Sequence, residues 1–199
     1  YEGQYHQAIE TFKNCLLQAP TEDKLSQQQV ALYADALLQT MNCFQSLGQA
    51  ETCIDYLQTL YKEVPIFQKQ CLRDYYSVMG YALSRTEKMK EAEETILKAL
   101  TIPLHQATPK RYFRDYAYAA AVFYSNPDYH NEVINWCQEA LHQAQLSKNS
   151  SGQQWVTAML GSIYKRSGKL NEALELFQQS KKDAESRKDA LGILNSLHT

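Results

Sequence analysis

Two adjoining segments decide the fold of this chain: LGSIY at residues 160–164 and GKLNEALELF at residues 168–177. In the first segment, apolar residues recur at Leu160, Ile163 and Tyr164, a spacing typical of an amphipathic α-helix. Gly161 lies inside that helix, where glycine costs about 1 kcal/mol relative to alanine. We therefore expect a neighbouring helix to approach Gly161 closely, and we expect the turn at Gly168 to adopt a left-handed backbone conformation.

The second segment predicts another short helix that begins near Asn171. Its apolar residues lie three and four positions apart, as on the inner face of a helix: Leu170, Ala173, Leu174 and Phe177. Two short helices joined by a tight turn form an antiparallel pair. A single pair cannot bury both of its apolar faces, so the pattern predicts that further pairs stack on it.

This pair of segments resembles the tetratricopeptide repeat (TPR). The resemblance rests on six positions: Leu160, Gly161, Tyr164, Gly168, Ala173 and Phe177. In that family, the first helix of each repeat (helix A) carries Leu-Gly and Tyr, and the second (helix B) carries a small residue, an aromatic residue and often a closing proline. The resemblance implies an all-α fold, an α-α superhelix (solenoid) of stacked antiparallel helix pairs.

Weaker copies of the pattern run along the chain, so we expect one TPR-like solenoid fragment over residues 1–199. Its repeats are expected at about residues 1–20, 25–65, 68–104, 109–146 and 153–185, with the start of another at 187–199 and both ends of the stack open. Repeat positions are held by Gly3, Ala8, Phe12, Pro20, Gly48, Cys53, Pro65, Gly80 and Ala92. We expect the third helix A at about residues 68–85 and a turn at residues 125–130.

The spacing of the proposed turns gives the period of the repeat. The turn residues Gly3, Gly48, Glu87, Asp128 and Gly168 lie 45, 39, 41 and 40 residues apart. The usual TPR period is about 34 residues. The difference predicts helices or connections that are longer than those of the consensus repeat.

The composition limits the function classes. The 20 basic and 22 acidic residues nearly cancel, which leaves no strong basic field for direct nucleic-acid binding. No apolar run approaches the roughly 18 residues that a membrane span needs. The five cysteines form no CxxC pair, which favours reduced, buried thiols and a cytoplasmic location. A disulfide between Cys43 and Cys53 stays an alternative, and so does the periplasm if the chain is a sensor region.

The sequence offers little catalytic chemistry. Its five histidines are spread along the chain, and none belongs to an HExxH motif. It has neither a Gly-rich phosphate loop nor a GxSxG motif. We therefore predict no catalytic residue, no cofactor and no metal ligand. An enzyme with a site assembled from several repeats is the weakest alternative.

The family alignment predicts a concave groove lined by the A helices. Its positions are held by Asp35, Asn42, Asp74, Tyr81, Asp115 and Tyr118. In one interpretation, the aspartates favour the positive end of a helix dipole and the tyrosines pack between repeats. In the other, an acidic, tyrosine-rich groove binds a basic or neutral extended peptide. Only Asn42 matches the family's carboxylate clamp, so we predict no such clamp.

The resemblance implies a non-enzymatic scaffold for protein–protein or peptide interaction. Repeats near 40 residues, together with residues 188–195, resemble the TPR regions of bacterial signalling and transcriptional regulators. On that resemblance the chain is a sensory or regulatory segment of a larger regulator. A standalone assembly scaffold or adaptor is the alternative. Apolar faces at the open solenoid ends also predict self-association.

Overall fold

The structure is a computed structural model that describes residues 2–19, 25–103 and 109–186. Within these ranges the regular structure is helical, with no strand. The α-helices, α1 to α9 in chain order, are Glu2–Leu17, Gln27–Ser46, Ala50–Glu63, Leu72–Leu83, Met89–Thr101, Pro109–Phe123, His130–Leu146, Ser150–Arg166 and Leu170–Ser186. Short 3-10 helices precede α4 and α7, at Pro65–Gln68 and Pro127–Tyr129.

The chain divides into two compact units, Tyr1–Ala107 and Thr108–Thr199. In the first unit, each of α1 to α4 packs on the helix that follows it, and α2 also contacts α4. In the second unit, α6 to α9 follow the same order, and α6 also contacts α8. Contacts with the next helix and the next but one are typical of stacked antiparallel pairs. The predicted all-α, TPR-like solenoid class of fold is therefore confirmed.

The start of the first repeat differs from the sequence prediction. The division of residues 1–199 stays a prediction, and Pro20 and residues 187–199 lie outside the described residues. Gly3 lies inside α1 rather than in a turn before it. On the same helix, Ala8 and Phe12 are half-buried.

The third helix A is shorter than predicted. It was expected over residues 68–85, but α4 spans Leu72–Leu83. The cause lies just before it, because Pro65 begins a 3-10 helix that buries Ile66 and Phe67. Proline suits the first position of such a helix, since its missing N–H has no partner to lose there. The turn expected at 125–130 likewise contains a 3-10 helix, and α7 begins at its last residue, His130.

Left-handed residues end three of the helices. Gly48 (φ 67°) follows α2 and Gly168 (φ 75°) follows α8. In both turns the next backbone N–H donates to the carbonyl five residues earlier, at 2.9 Å. The turn after α7 has the same bond at 2.8 Å, but its left-handed residue is Lys148 (φ 53°). A lysine rarely adopts this conformation, so the sequence carries no signal for this turn.

Two glycines lie where paired helices approach closely. A Cβ atom at Gly80 would lie 3.0 Å from the backbone N of Ile96 on α5. It would also lie 3.3 Å from the carbonyl O of Ala92, which is fully buried in the same contact. A Cβ atom at Gly161 would lie 2.6 Å from Cε1 of Phe177 on α9. A side chain at Gly80 would require α4 and α5 to separate slightly, and one at Gly161 would require the Phe177 ring to shift.

The inner face of α9 is narrower than the sequence pattern predicted. Ala173 is 3% exposed and Ser180 is 4% exposed, and Phe177 is half-buried between them. By contrast, Leu170 is 64% exposed and Leu174 is 55% exposed. The prediction is therefore wrong for the two leucines. The stripe that packs runs through positions 173, 177 and 180, which share one side of a helix.

All five cysteines are free thiols, so the alternative disulfide between Cys43 and Cys53 is not formed. Cys43, Cys53, Cys71 and Cys137 are buried, and Cys15 is half-buried. Burial raises the pKa of Cys53 to about 12, because removal from water disfavours the thiolate. The same cause raises the pKa of Cys137 to about 12.

These two thiols predict a loss of stability at alkaline pH. A thiol whose pKa rises on folding contributes stability that is complete below its unfolded pKa, near 9.0, and is lost as pH rises towards about 12. We expect the urea midpoint to fall across that window and to fall less steeply in a Cys53→Ala/Cys137→Ala variant. Urea titrations at pH 8, about 9.5 and about 11 measure the difference. Parallel pH profiles for the two proteins would contradict the assignment.

Candidate binding surface

The structure distributes the six predicted groove residues over three A helices. Asp35 and Asn42 are half-buried on α2, and Tyr81 is half-buried on α4. The side chains of α2 and α4 meet here, where Gln45 Nε2 donates to the Tyr81 hydroxyl at 3.4 Å. The first unit therefore presents a polar, partly accessible surface along α2 and α4.

The other three predicted groove residues are buried. Asp74 on α4 and Asp115 on α6 are fully buried, and Tyr118 is 6% exposed. A buried carboxylate costs several kcal/mol unless charges and hydrogen bonds compensate it. Asp74 belongs to the first compact unit and Asp115 to the second.

Each buried aspartate follows a buried arginine. Arg73 is nearly enclosed and its Nη1 donates to the carbonyl O of Ile102 at 2.8 Å. Arg114 is also buried, with Nη2 3.5 Å from Oδ1 of Asp115. The burial of these Arg-Asp sequences favours the packing interpretation for Asp74 and Asp115. A direct role in binding stays a prediction for all six residues.

An aromatic patch lies on the A helices of the second unit, formed by Phe113, Tyr118 and Trp155. The Trp155 ring meets the Phe113 ring edge-on, with centroids 6.4 Å apart and planes at 75°. It meets the Tyr118 ring similarly, at 6.2 Å and 67°. Trp155 is 36% exposed, so two rings hold it while part of its surface stays in solvent. Edge-to-face contacts of this kind contribute about 0.5–1.5 kcal/mol beyond area burial.

The close approach of α6 to α8 depends on Gly152. A Cβ atom at that position would lie 2.5 Å from Cζ of Phe113. The side chain of Asn149 caps α8 by accepting from the Gly152 N–H at 3.0 Å. The helix start and the packing of Phe113 are therefore fixed at the same point, next to Trp155.

The sequence analysis missed Trp155, although the repeat register points to it. Asp74 lies five residues before Met79, the residue in the Leu position of the Leu-Gly pair. Trp155 lies five residues before Leu160, which holds that position in the best-matching repeat. Trp155 therefore holds the position in its repeat that Asp35, Asp74 and Asp115 hold in theirs. Extending the alignment by one repeat identifies it.

Neither a metal centre nor a membrane segment is found in the part of the chain that the structure describes. Over residues 2–19, 25–103 and 109–186, no three His, Cys, Asp or Glu side chains converge as metal ligands would. None of the helices described there combines the length and apolar character needed to cross a bilayer.

Helix pairs that stack in sequence, each with a partly exposed A helix, define a helical-repeat protein of the interaction-scaffold class. Comparison with protein families makes this specific, since three tetratricopeptide repeat models match residues 35–65, 74–104 and 157–189. The chain is a tetratricopeptide repeat protein. No curated protein matches it. Tetratricopeptide repeats generally form non-catalytic scaffolds that bind proteins or peptides.

Proposed function

We propose that this chain is a non-enzymatic scaffold whose A helices bind an extended segment of a partner protein. The observation that carries the proposal is Trp155, which is partly exposed on α8 and held edge-on by Phe113 and Tyr118. Tryptophan is enriched among the few residues that dominate binding energy. A ring already fixed by its neighbours loses little conformational entropy when a partner covers it.

The first unit suggests the chemistry of the bound segment. Its accessible A-helix residues are Asp35, Asn42 and Tyr81, which together offer a carboxylate, an amide and a phenol. These groups suit hydrogen bonds to an extended backbone and favour a basic or neutral side chain over an acidic one. Asp74, on the same helix as Tyr81, is fully buried and does not add to this accessible set.

The finer proposal is that the scaffold is the sensory or regulatory region of a larger bacterial signalling or transcriptional regulator. Its support is the period near 40 residues and the sequence at 188–195, which lies outside the described residues. A standalone assembly scaffold or adaptor is the second candidate. The coding sequence downstream of residue 199 separates the two, because a DNA-binding or kinase module there favours the regulator. Self-association through the solenoid ends stays a further prediction.

Replacing Trp155 by alanine is expected to weaken partner binding by about 30-fold, as the loss of a central aromatic anchor does. The partner is first captured with the intact native protein and identified by mass spectrometry. Its affinity is then measured by calorimetry for the wild type, Trp155→Ala and Tyr5→Ala. Tyr5 is the matched control, because it is 37% exposed but lies on α1, outside the A helices.

The three proteins must first show the same helical content by circular dichroism. If they do, and the affinity of Trp155→Ala for the partner equals that of the wild type, recognition lies on another surface and the proposal is wrong. An equal loss in Tyr5→Ala overturns it too, because exposure rather than position would then explain the effect.

A further inference from the structure

A small crevice lies at the turn end of the second unit, away from the aromatic patch. It lies between the end of α6, the start of α7 and the end of α8, is open to solvent on one side, and has a volume of about 240 Å³. Val133 and Ile163 form its floor and are almost fully buried, so the apolar surface open to a ligand belongs to Tyr124 and Pro127. Arg166 and His130 supply polar groups to the same crevice. A cavity with both characters can hold a small molecule that is apolar at one end and charged at the other.

Arg166 is fixed in place although it is exposed. Its Nη2 donates to the carbonyl O of Tyr124 at 2.5 Å. Its guanidinium carbon lies 4.1 Å from the centre of the Tyr124 ring. A guanidinium has five N–H donors, and the bond to Tyr124 uses only one of its nitrogens. The charged group is therefore oriented before any ligand arrives.

The Ser167–His130 pair serves to position the imidazole rather than to supply a nucleophile. Ser167 Oγ donates to the carbonyl O of Ile163 at 2.9 Å. The same oxygen lies 3.2 Å from His130 Nε2. The imidazole is thereby held at the crevice, and the serine hydroxyl is not activated for attack.

The charge around Arg166 favours an anion. Among the lining residues that the structure describes, none has a carboxylate. The neighbouring residues Lys165 and Lys169 add positive charge at the end of α8 and in the turn after it. Asp128 and Glu132 lie nearby in the chain, but neither lines the crevice.

The first unit has a crevice at the corresponding repeat positions, with a different electrostatic setting. Its lining includes Cys53, Ala82 and Arg85, which occupy the positions of Val133, Ile163 and Arg166, 80 or 81 residues earlier. Its volume is smaller, about 130 Å³.

Arg85 also borders an open depression that contains acidic side chains. Glu51 and Glu87 line it together with Lys88, whose Nζ lies 3.2 Å from Oε2 of Glu51. These carboxylates would compete with a bound anion for the positive charge of Arg85. Arg85 is therefore an internal control for Arg166.

We propose that the crevice of the second unit binds a small organic carboxylate, whose charge pairs with Arg166 and whose apolar group packs against Tyr124 and Pro127. A planar guanidinium matches a carboxylate with two parallel hydrogen bonds. The volume is below the roughly 300 Å³ at which pockets for drug-sized ligands begin. A four- to six-carbon aliphatic acid is the size class that fits. The site is independent of the peptide-binding surface proposed above.

The test uses 4-methylpentanoate as the probe and the neutral 4-methylpentanamide as its isosteric control. Titration into the full-length, isotope-labelled protein, followed by NMR, is expected to shift the amides of Val133 and Ile163 with a dissociation constant on the order of millimolar. Arg166→Gln is expected to weaken that binding about tenfold, and Arg166→Lys, which keeps the charge without the planar fork, by less. Arg85→Gln is expected to leave it unchanged.

Three results would overturn the proposal: equal binding of the amide, equal losses in Arg85→Gln and Arg166→Gln, or amide shifts that are not centred on the crevice. A parallel titration with acetyl-Gly-Gly-Leu as the free acid identifies the source of the carboxylate. Binding of only the small acid assigns a free metabolite-type ligand. Tighter binding of the peptide assigns a chain terminus, and both outcomes support the same carboxylate chemistry at Arg166.

Discussion

Replacing Asp115 by alanine is expected to lower the free energy of unfolding of the second unit by about 3–5 kcal/mol, the cost of breaking a buried charge pair. Asp115 is fully buried, and its Oδ1 lies 3.5 Å from Nη2 of the equally enclosed Arg114. Without the carboxylate, the guanidinium would stay buried and lose this counter-charge. Urea unfolding followed by tryptophan fluorescence reports on this unit, because both tryptophans, Trp136 and Trp155, lie within it.

Two variants make the measurement specific. Asp115→Asn keeps the shape and the acceptor oxygen, so a smaller loss is expected than with alanine. Asp128→Ala removes an exposed carboxylate of the same unit and is expected to change stability by less than about 0.5 kcal/mol. If Asp115→Ala changes the free energy of unfolding as little as Asp128→Ala does, the Asp115 carboxylate is not needed for stability. The interpretation of Asp115 as a groove residue is then favoured.

This measurement also affects how binding data are interpreted. The sequence alignment places Asp115 in a groove, and an alanine variant that binds a partner poorly would agree with that reading. A variant that unfolds would bind poorly for a different reason. Trp155 avoids this ambiguity, because about a third of its surface is in solvent and it can be removed with less disturbance.

The parts of the fold that the sequence predicts are those with local chemical causes. Gly48 and Gly168 end helices because glycine adopts φ values of 67° and 75° at little cost. The start of α2 is similarly local, since Ser26 and Gln29 cap each other's backbone N–H groups at 3.3 Å and 2.9 Å. Such signals need no knowledge of the neighbouring helix, so a single sequence is enough to read them.

The parts that the sequence does not predict depend on what packs against each helix. Leu170 and Leu174 have the spacing of an inner face, but the contact with α8 runs through Ala173 and Phe177. Asp74 and Asp115 have the position of groove residues, but nothing in their spacing reveals that they are enclosed. Lys148 takes the place of a glycine in a turn because the surrounding hydrogen bonds impose the conformation.

The same distinction applies to the candidate sites. The register of the Leu-Gly pair is sufficient to find Trp155 as the counterpart of Asp74. The register also relates Arg166 to Arg85, but it gives no reason to treat the two differently. Only the structure shows Arg166 fixed over the Tyr124 ring and Arg85 beside acidic side chains.

Replacing Ala173 by arginine is expected to cost about 2–4 kcal/mol of unfolding free energy, because a charge would be forced into a close helix contact. Ala173 is 3% exposed on α9, and the neighbouring contact is so close that a Cβ atom at Gly161 would meet Phe177 at 2.6 Å. The arginine stem would have to separate α8 from α9 before its guanidinium reached water. Urea unfolding followed by tryptophan fluorescence applies here too, since both helices belong to the second unit.

Leu174→Arg is the matched control, one position along the same helix with the same introduced charge. Leu174 is 55% exposed, so the guanidinium can stay in solvent and the expected change is within about 0.5 kcal/mol. A large loss for Ala173→Arg beside a negligible one for Leu174→Arg would establish which side of α9 packs. Equal losses would mean that Leu174 is covered in solution, either by another part of the chain or by a second molecule, and concentration dependence of the unfolding midpoint would distinguish these two.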